Sequence, residues 1–250
     1  MTAKTILITG ASSGIGAALA VRYAQPSTRL VLWGRNRQRL EQTAATCRAG
    51  GADVTIEDFD LSDVDRMTER LERADKASPL ELAIFNAGLG GTIPKDRLTQ
   101  STASARQMIG VNLTAPVVGA NLIAERMAAR GHGHIVFIGS IAESFPLPMA
   151  PAYSATKAGL ALFAEALRIR LAPRGVFVTL VSPGFVDTPM SRSVDEPRPF
   201  LITAEKAAKI VTRKIEARAA SIVVPWQFAV LRTATAWLPR TLIRAVLART

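Results

Sequence analysis

The chain has one cysteine, Cys47, and two histidines, His132 and His134, in 250 residues. A single cysteine excludes an internal disulfide and fits a reducing cytoplasm, which is the expected location. The histidines lie two positions apart in Gly131-His132-Gly133-His134, with no cysteine or acidic cluster beside them. No metal site is expected there. No run of about 20 apolar residues is free of charge, so no membrane-spanning helix is expected. The first apolar run starts at Ile6 behind a single charge, Lys4, and is cut at Gly10, which is not the pattern of a signal peptide. Acids are also scarce, with 20 Asp plus Glu against 31 Lys plus Arg and a formal net charge of +11. A basic surface attracts nucleic acid, anionic lipid or phosphorylated ligands. Here the charge is spread along the chain and no nucleic-acid motif accompanies it, so nucleic acid is not an expected partner.

What is present is a globular composition, 48% hydrophobic and 20% charged, long enough for a large core. Thr5-Ile6-Leu7-Ile8 is a β-branched apolar run of the kind buried on both faces of a sheet. It leads into Thr9-Gly10-Ala11-Ser12-Ser13-Gly14-Ile15-Gly16, and a periodic helix follows with Leu19, Ala20 and Tyr23 on one face. Glycines let a backbone turn tightly and approach a phosphate, and a helix N-terminus favours an anion. The spacing is Gly-x-x-x-Gly-x-Gly, and no Lys-Ser/Thr pair follows, so it is not a P-loop. Read alone it is either a nucleotide cradle or an ordinary tight turn.

The second strand, Leu30-Val31-Leu32-Trp33, ends in Gly34-Arg35-Asn36-Arg37. A fold that binds NAD usually places an acid here for the ribose 2′-hydroxyl, and none occurs before Glu41. Arg35 stands in its place, and a guanidinium suits the 2′-phosphate of NADP. Ser13 and Arg37 are candidate helpers. The competing reading puts Arg35 to Arg39 at the solvated start of a helix. Val54 to Phe59 forms a third strand, followed by Asp60 and Leu61. Asp60 either accepts from an exocyclic amine such as adenine's or caps a helix starting near Ser62. Leu82 to Phe85 is a fourth strand, ending in Asn86-Ala87-Gly88.

In the second half, Ala103 to Gly119 reads as a helix carrying Asn112, which is satisfied by nearby backbone, holds a water or distorts the helix. His134 to Ile138 is a fifth strand ending at Gly139-Ser140. Tyr153-Ser154-Ala155-Thr156-Lys157 puts a phenol and an ammonium one helical turn apart. A lysine beside a tyrosine favours the phenolate, which makes a proton donor usable near neutral pH. The helix reads on from Ala158 to Leu171, and Val176 to Val181 is a sixth strand before Ser182-Pro183-Gly184 and Phe185-Val186-Asp187-Thr188. Strands alternating with helices predict one doubly wound Rossmann-type α/β domain, with ligands at the carboxyl ends of a parallel sheet.

Six elements together, Thr9 to Gly16, Asn86 to Gly88, Asn112, Ser140, Tyr153-x-x-x-Lys157 and Pro183-Gly184, resemble the short-chain dehydrogenase/reductase family over about residues 4–190. The resemblance implies hydride transfer between NADPH and a carbonyl or alcohol. It implies Tyr153 as general acid, Lys157 lowering the phenol's pKa and binding the nicotinamide ribose, Ser140 holding the carbonyl, and Asn112 anchoring a water. Cofactor contacts are implied for Gly10, Ser12, Ser13, Gly14, Ile15 and Gly16 at the pyrophosphate and Asp60 and Leu61 at the adenine. Asn86 is expected at the adenine-side ribose and Thr188 at the carboxamide, with Ala87, Gly88, Pro183, Gly184 and Val186 as further cofactor contacts. A homo-oligomer acting on a small molecule is implied as well.

The last part departs from that pattern. Pro189 to Leu201 would close over the substrate, its prolines opposing a regular helix; a helix from Ala204 to about Ala217 and a seventh strand, Ile222 to Pro225, follow. The domain is expected over residues 1–224, with residues 225–250 as a helical extension that Pro239 splits in two. Trp226, Phe228, Leu231 and Trp237 alternate there with Arg232, Arg240, Arg244 and Arg249, and no acid occurs. That composition fits peripheral contact with the inner face of a membrane through residues 226–250, or an apolar stripe packed on protein.

Overall fold

A computed structural model describes residues 4–193 and 197–236. The elements in chain order are β1 (Lys4–Thr9), α1 (Gly14–Tyr23), β2 (Thr28–Gly34), α2 (Arg37–Ala49), β3 (Asp53–Asp58), α3 (Val64–Ala77) and β4 (Leu80–Phe85). Then come α4 (Thr102–Ile109), a π-helical turn (Gly110–Thr114), α5 (Ala115–Arg130), β5 (Gly133–Ile138), α6 (Pro151–Leu171) and β6 (Val176–Pro183). The last are β7 (Val186–Asp187), α7 (Pro189–Arg192), β8 (Ile202–Thr203), α8 (Ala204–Glu216), β9 (Ser221–Val224) and α9 (Gln227–Ala236).

Seven strands form one parallel sheet in the order β3-β2-β1-β4-β5-β6-β9. The order reverses between β1 and β4, and a ligand crevice opens at such a switch point, beyond the strands' carboxyl ends. Ile6, Ile8, Leu30 and Leu32 face one core with residues of α1, α2 and α8. Leu7, Trp33, Phe85 and Phe137 face the other with residues of α3, α5 and α6. Two buried faces explain the nearly continuous apolar runs of these strands. The doubly wound fold and its seven strands are as expected.

Several boundaries differ. The helix around Asn112 is not continuous: α4 and α5 are separated by a π turn with Asn112 inside it. The combined run Thr102–Arg130 is long and apolar enough to cross a membrane by length and composition, but about half of its apolar window is buried in the protein. Ala120, Ile123, Ala124 and Met127 spend that face on the core. The helix that carries Tyr153 and Lys157 begins at Pro151, since a proline at the first helical position lacks only an N–H that would have no partner anyway. Pro189 opens α7 in the same way, where prolines were expected to prevent a helix. The small parallel pair β7–β8 was not expected.

The first helix of the expected C-terminal extension, α9, docks by Phe228, which is buried against Gly184 and in ring contact with Phe185 and Phe200. The expected second helix after Pro239, and Val194 to Glu196 of the substrate segment, lie outside the described residues.

Candidate active site

The glycine turn leaves β1 at its carboxyl end with Gly10 and Gly14 at φ of +68° and +56°, a region that disfavours side chains. At Gly16 a Cβ would overlap the carbonyl of Gly10 and the Asn86 amide, so the helix sits tight against the turn. Asn86 clamps it from β4: its Nδ2 donates to the carbonyls of Thr9 (3.0 Å) and Gly10 (3.2 Å). Thr9 Oγ1 accepts from the N–H groups of Asn86 and Ala87, both at 3.0 Å. Asn86, expected at the adenine-side ribose, thus spends its amide on bracing the turn. Ser13 precedes α1 without a capping hydrogen bond, and no acid stands in the first helical turn. This is a backbone cradle at a helix N-terminus whose polarity suits an anion such as a pyrophosphate, and the residues present fit a dinucleotide.

The carboxyl end of β2 is built up in the same way. Ser12 lies against Gly34: a Cβ on that glycine would be 3.2 Å from Ser12 Oγ. Asn36 caps α2, accepting from Arg39 N at 2.9 Å, so Arg35 stands before the helix and not in its solvated first turn. Arg37 does belong to that turn and is held by Asp58 (2.7 Å) and Glu41 (3.7 Å). Arg35 lies 3.9 Å from Asp60 with both side chains exposed. Asp60 accepts from the backbone and hydroxyl of Ser62 at 2.9 and 2.8 Å. It is not a helix cap: Asp63 fills that role for α3, accepting from Arg66 N at 3.1 Å. The Ser62 bonds and the charge of Arg35 hold the Asp60 carboxyl below its ordinary value against burial. Leu61 is buried in the core beside Phe85.

The carboxyl ends of β5 and β6 bring up the remaining groups. Ser140 Oγ accepts from Ala142 N at 3.1 Å, and its side chain acts on the Tyr153 phenol, lowering its pKa. Lys157 Nζ lies 5.8 Å from the centre of the Tyr153 ring and donates to Ile138 O at 2.9 Å. Asn112 is 1% exposed; its Oδ1 accepts from Leu89 N at 2.7 Å and its Nδ2 donates to Leu89 O at 2.9 Å and Thr156 Oγ1 at 3.4 Å. A Cβ on Gly88 would lie 3.4 Å from Asn112 Oδ1 and 3.7 Å from Lys157 Nζ, so glycine lets these three elements meet. The π turn presents Asn112 inward at this point; the direct partners of its side chain are the Leu89 backbone and Thr156.

One electrostatic expectation changes. Burial pushes the Tyr153 phenol up, Ser140 opposes this and Glu143 adds to it, so the phenol is raised where the Tyr-Lys spacing predicts a lowered one. Burial likewise pushes the Lys157 ammonium down, to about 8, against the pull of Glu143. In this protein the pair is set first by desolvation and only then by neighbouring charge. Glu143 was missed by sequence reasoning. The available signal was an acid three residues after Ser140, at a strand end facing a site.

Pro183 and Gly184 close β6, with Gly184 N donating to Val224 O at 2.8 Å. Thr188 caps α7, accepting from Ser191 N at 3.1 Å, and its methyl group would lie 2.9 Å from a Cβ on Gly14. The segment after β6 therefore meets the glycine turn. Val186 turns its side chain into a small cluster with Ile15, Ala18 and Ile202, away from solvent.

The fold and this set of residues define a nucleotide-binding oxidoreductase of the doubly wound class. Residues 4–199 match the short chain dehydrogenase family, and the chain belongs to it. An uncharacterised oxidoreductase of Myxococcus xanthus is 34% identical over 250 residues, covering 100% of this chain and 98% of the relative. A short-chain dehydrogenase of Sphingobium yanoikuyae, solved in complex with NADPH, is 28% identical with a TM-score of 0.82, covering 93% of this chain and 94% of that one. A bulky-bulky ketone specific alcohol dehydrogenase of Comamonas testosteroni is 27% identical with a TM-score of 0.80, covering 93% and 92%.

Proposed function

We propose that the protein is an NADPH-dependent reductase of a carbonyl compound, with Tyr153 as its proton donor. The observation that carries this reading is the convergence of Ser140, Tyr153 and Lys157 at the strand ends beside the glycine cradle. The cradle of Gly10 to Gly16 would hold the pyrophosphate and Arg35 the 2′-phosphate, with Ser12 beside it. Asp60 and Leu61 would flank the adenine, Lys157 would hold the nicotinamide ribose, and Pro183 to Thr188 would cover the nicotinamide. When bound, the nicotinamide supplies the hydride. Ser140 orients the carbonyl oxygen by a hydrogen bond. Tyr153 gives its proton to that oxygen as charge builds on it, and a phenol kept protonated by burial suits this direction. Lys157 places positive charge beside the phenolate left behind.

A specific observation favours apolar substrates. Met190, Phe200 and Leu201 from the β7–β8 region and Trp226, Val230 and Leu231 from the start of the tail are all exposed. With Phe200 resting on the buried Phe228, they would form an apolar mouth beside the site. The solved ketone-specific relative is consistent with that choice. The same residues would serve the enzyme at a membrane surface acting on a lipid-like carbonyl, and exposed Leu162 and Ile169 on α6 offer an apolar face to a second subunit.

The test is NADPH oxidation across carbonyl compounds from small polar ketones to long-chain and polycyclic ones, with and without anionic vesicles, using Tyr153→Phe as the blank. Turnover confined to bulky apolar carbonyls is expected, and stimulation by vesicles would place the enzyme on the membrane. Turnover of small polar ketones alone would reject the apolar mouth. No turnover of any carbonyl, in either direction, would reject the catalytic reading.

A further inference from the structure

We propose that Glu143 is a positioning residue for the Tyr153–Lys157 pair and that Arg232 of the tail helix holds it ionised, so that α9 is electrostatically coupled to the chemical step. The proposal rests on the reductase reading and adds a residue and a regulatory contact to it.

The geometry is specific. Glu143 sits in the short turn after Ser140 with its side chain 6% exposed. Oε1 accepts from Ser182 Oγ at 2.6 Å and lies 3.5 Å from Arg232 Nη1. Ser182 is fully buried at the end of β6, next to Pro183. Oε2 is buried over Gly139, where a Cβ would come within 2.8 Å of it, and no side chain among the described residues donates to it. The charged and titratable groups facing Glu143 are Tyr153 and Lys157 from α6 and Arg232 from α9. A carboxylate this buried is costly unless cations compensate it, and it has two: Lys157 beneath the reacting centre and Arg232 reaching in from the tail.

Each neighbour feels the arrangement with a definite sign. Burial pushes the Glu143 carboxyl up, while Ser182, the Ser140 backbone, Arg232 and Lys157 hold it down. Ionised Glu143 keeps Lys157 charged to higher pH and the Tyr153 phenol protonated to higher pH. If the carboxylate is lost, both pKa values fall together. The ammonium, already at about 8, would then be neutral over part of the working range. Removing Arg232 leaves Glu143 buried with one cation fewer, so it takes up its proton at higher pH.

The experiment is the pH dependence of kcat and kcat/KM for the full chain in four forms: wild type, Glu143→Gln, Arg232→Gln and the double variant, with Glu143→Asp as rescue. Glu143→Gln should move the alkaline limb to lower pH by roughly 0.5–1 unit and remove the acid inflection due to the carboxyl. Arg232→Gln should raise that acid inflection by roughly a unit, and should do nothing further when added to Glu143→Gln. Glu143→Asp should recover most of the wild-type profile. Four superimposable profiles from active, folded proteins would overturn the proposal and leave Glu143 a packing residue. So would an Arg232→Gln effect of the same size with and without Glu143. If Glu143→Gln does not fold, Arg232→Gln decides alone, and an unmoved acid inflection overturns the coupling. Failure of the reductase reading looks different, since the wild type itself would then turn over no carbonyl.

Discussion

The half of the chain from β1 to β4 and the half from β5 to α9 build their parts of the site from different materials. In the first half the binding surface is backbone. Gly10, Gly14 and Gly16 shape it, Thr9 and Asn86 brace it, and the ionic feature beside it, Arg35 near Asp60, is exposed. In the second half the candidate working surface is side chains, Ser140, Tyr153, Lys157 and Glu143, and burial moves the proton affinities of the last three. A backbone site tolerates no added atoms but is indifferent to pH. A buried side-chain site tolerates some change of shape but no change of charge. Damage to the two halves should therefore leave different signatures.

The largest effect should come from Tyr153→Phe, which removes the proposed proton donor but hardly alters shape: kcat should fall about 1000-fold with NADPH affinity, read by fluorescence, unchanged. A parallel loss of NADPH binding would show that the halves are not separable. Next, Gly16→Val puts a side chain into the Gly10 carbonyl and the Asn86 amide. It should weaken NADPH binding roughly 10- to 100-fold while the residual activity keeps its pH profile. A displaced profile would mean that the cradle also positions the chemistry. Arg35→Ala should weaken NADPH by about tenfold, or ~1.4 kcal/mol, and leave NADH unchanged. Equal losses for both cofactors would remove the phosphate contact from Arg35.

A third region, the amino end of the same strands, sharpens the contrast because it affects stability and not turnover. His134 Nε2 is 2.8 Å from Thr179 Oγ1, and burial, with Lys4 and Arg218 adding to it, pushes the imidazole down to about 4 from 6.5. Between those values the folded ring stays neutral while the unfolded ring binds a proton. Stability is thus retained above about 6.5 and lost as pH falls towards 4, by about 1–3 kcal/mol. His134→Gln should flatten that part of the urea-unfolding profile with kcat/KM near neutral pH unaltered; an identical slope in the variant would refute the assignment. The smallest effect belongs to Cys47, buried in the core with its thiol pushed up to about 11 by burial. Cys47→Ser should keep activity within about twofold if folding holds, since a protonated, inaccessible thiol is not a nucleophile.

How much of this was legible beforehand follows from how far each feature reaches along the chain. The alternation of buried strands and helices is local, and β1 to β6 and β9 lie where the apolar runs put them. The glycine spacing and the Tyr153–Lys157 turn are local too. The π turn at Asn112 was not legible, because it depends on Leu89 and Thr156, 23 and 44 positions away, offering partners for the side chain. Asn86 shows the same limit, since a turn 76 positions away claims its amide, whereas Asp60 is claimed locally by Ser62, two positions on. The direction of the Tyr153 phenol was misjudged because proximity in sequence reports a neighbour's charge but not the loss of water around both.

The sequence by itself determined the parallel doubly wound sheet, the cradle, the order of the candidate catalytic residues and the family, since each is written in local patterns of apolarity, glycine and spacing. Only the tertiary structure decided which of those groups are desolvated, that Glu143 lies beside Tyr153 and Lys157, and that Arg232, 89 positions further on, reaches it. Burial and long-range pairing are properties of the packed chain, and they set proton affinity more strongly than any spacing does.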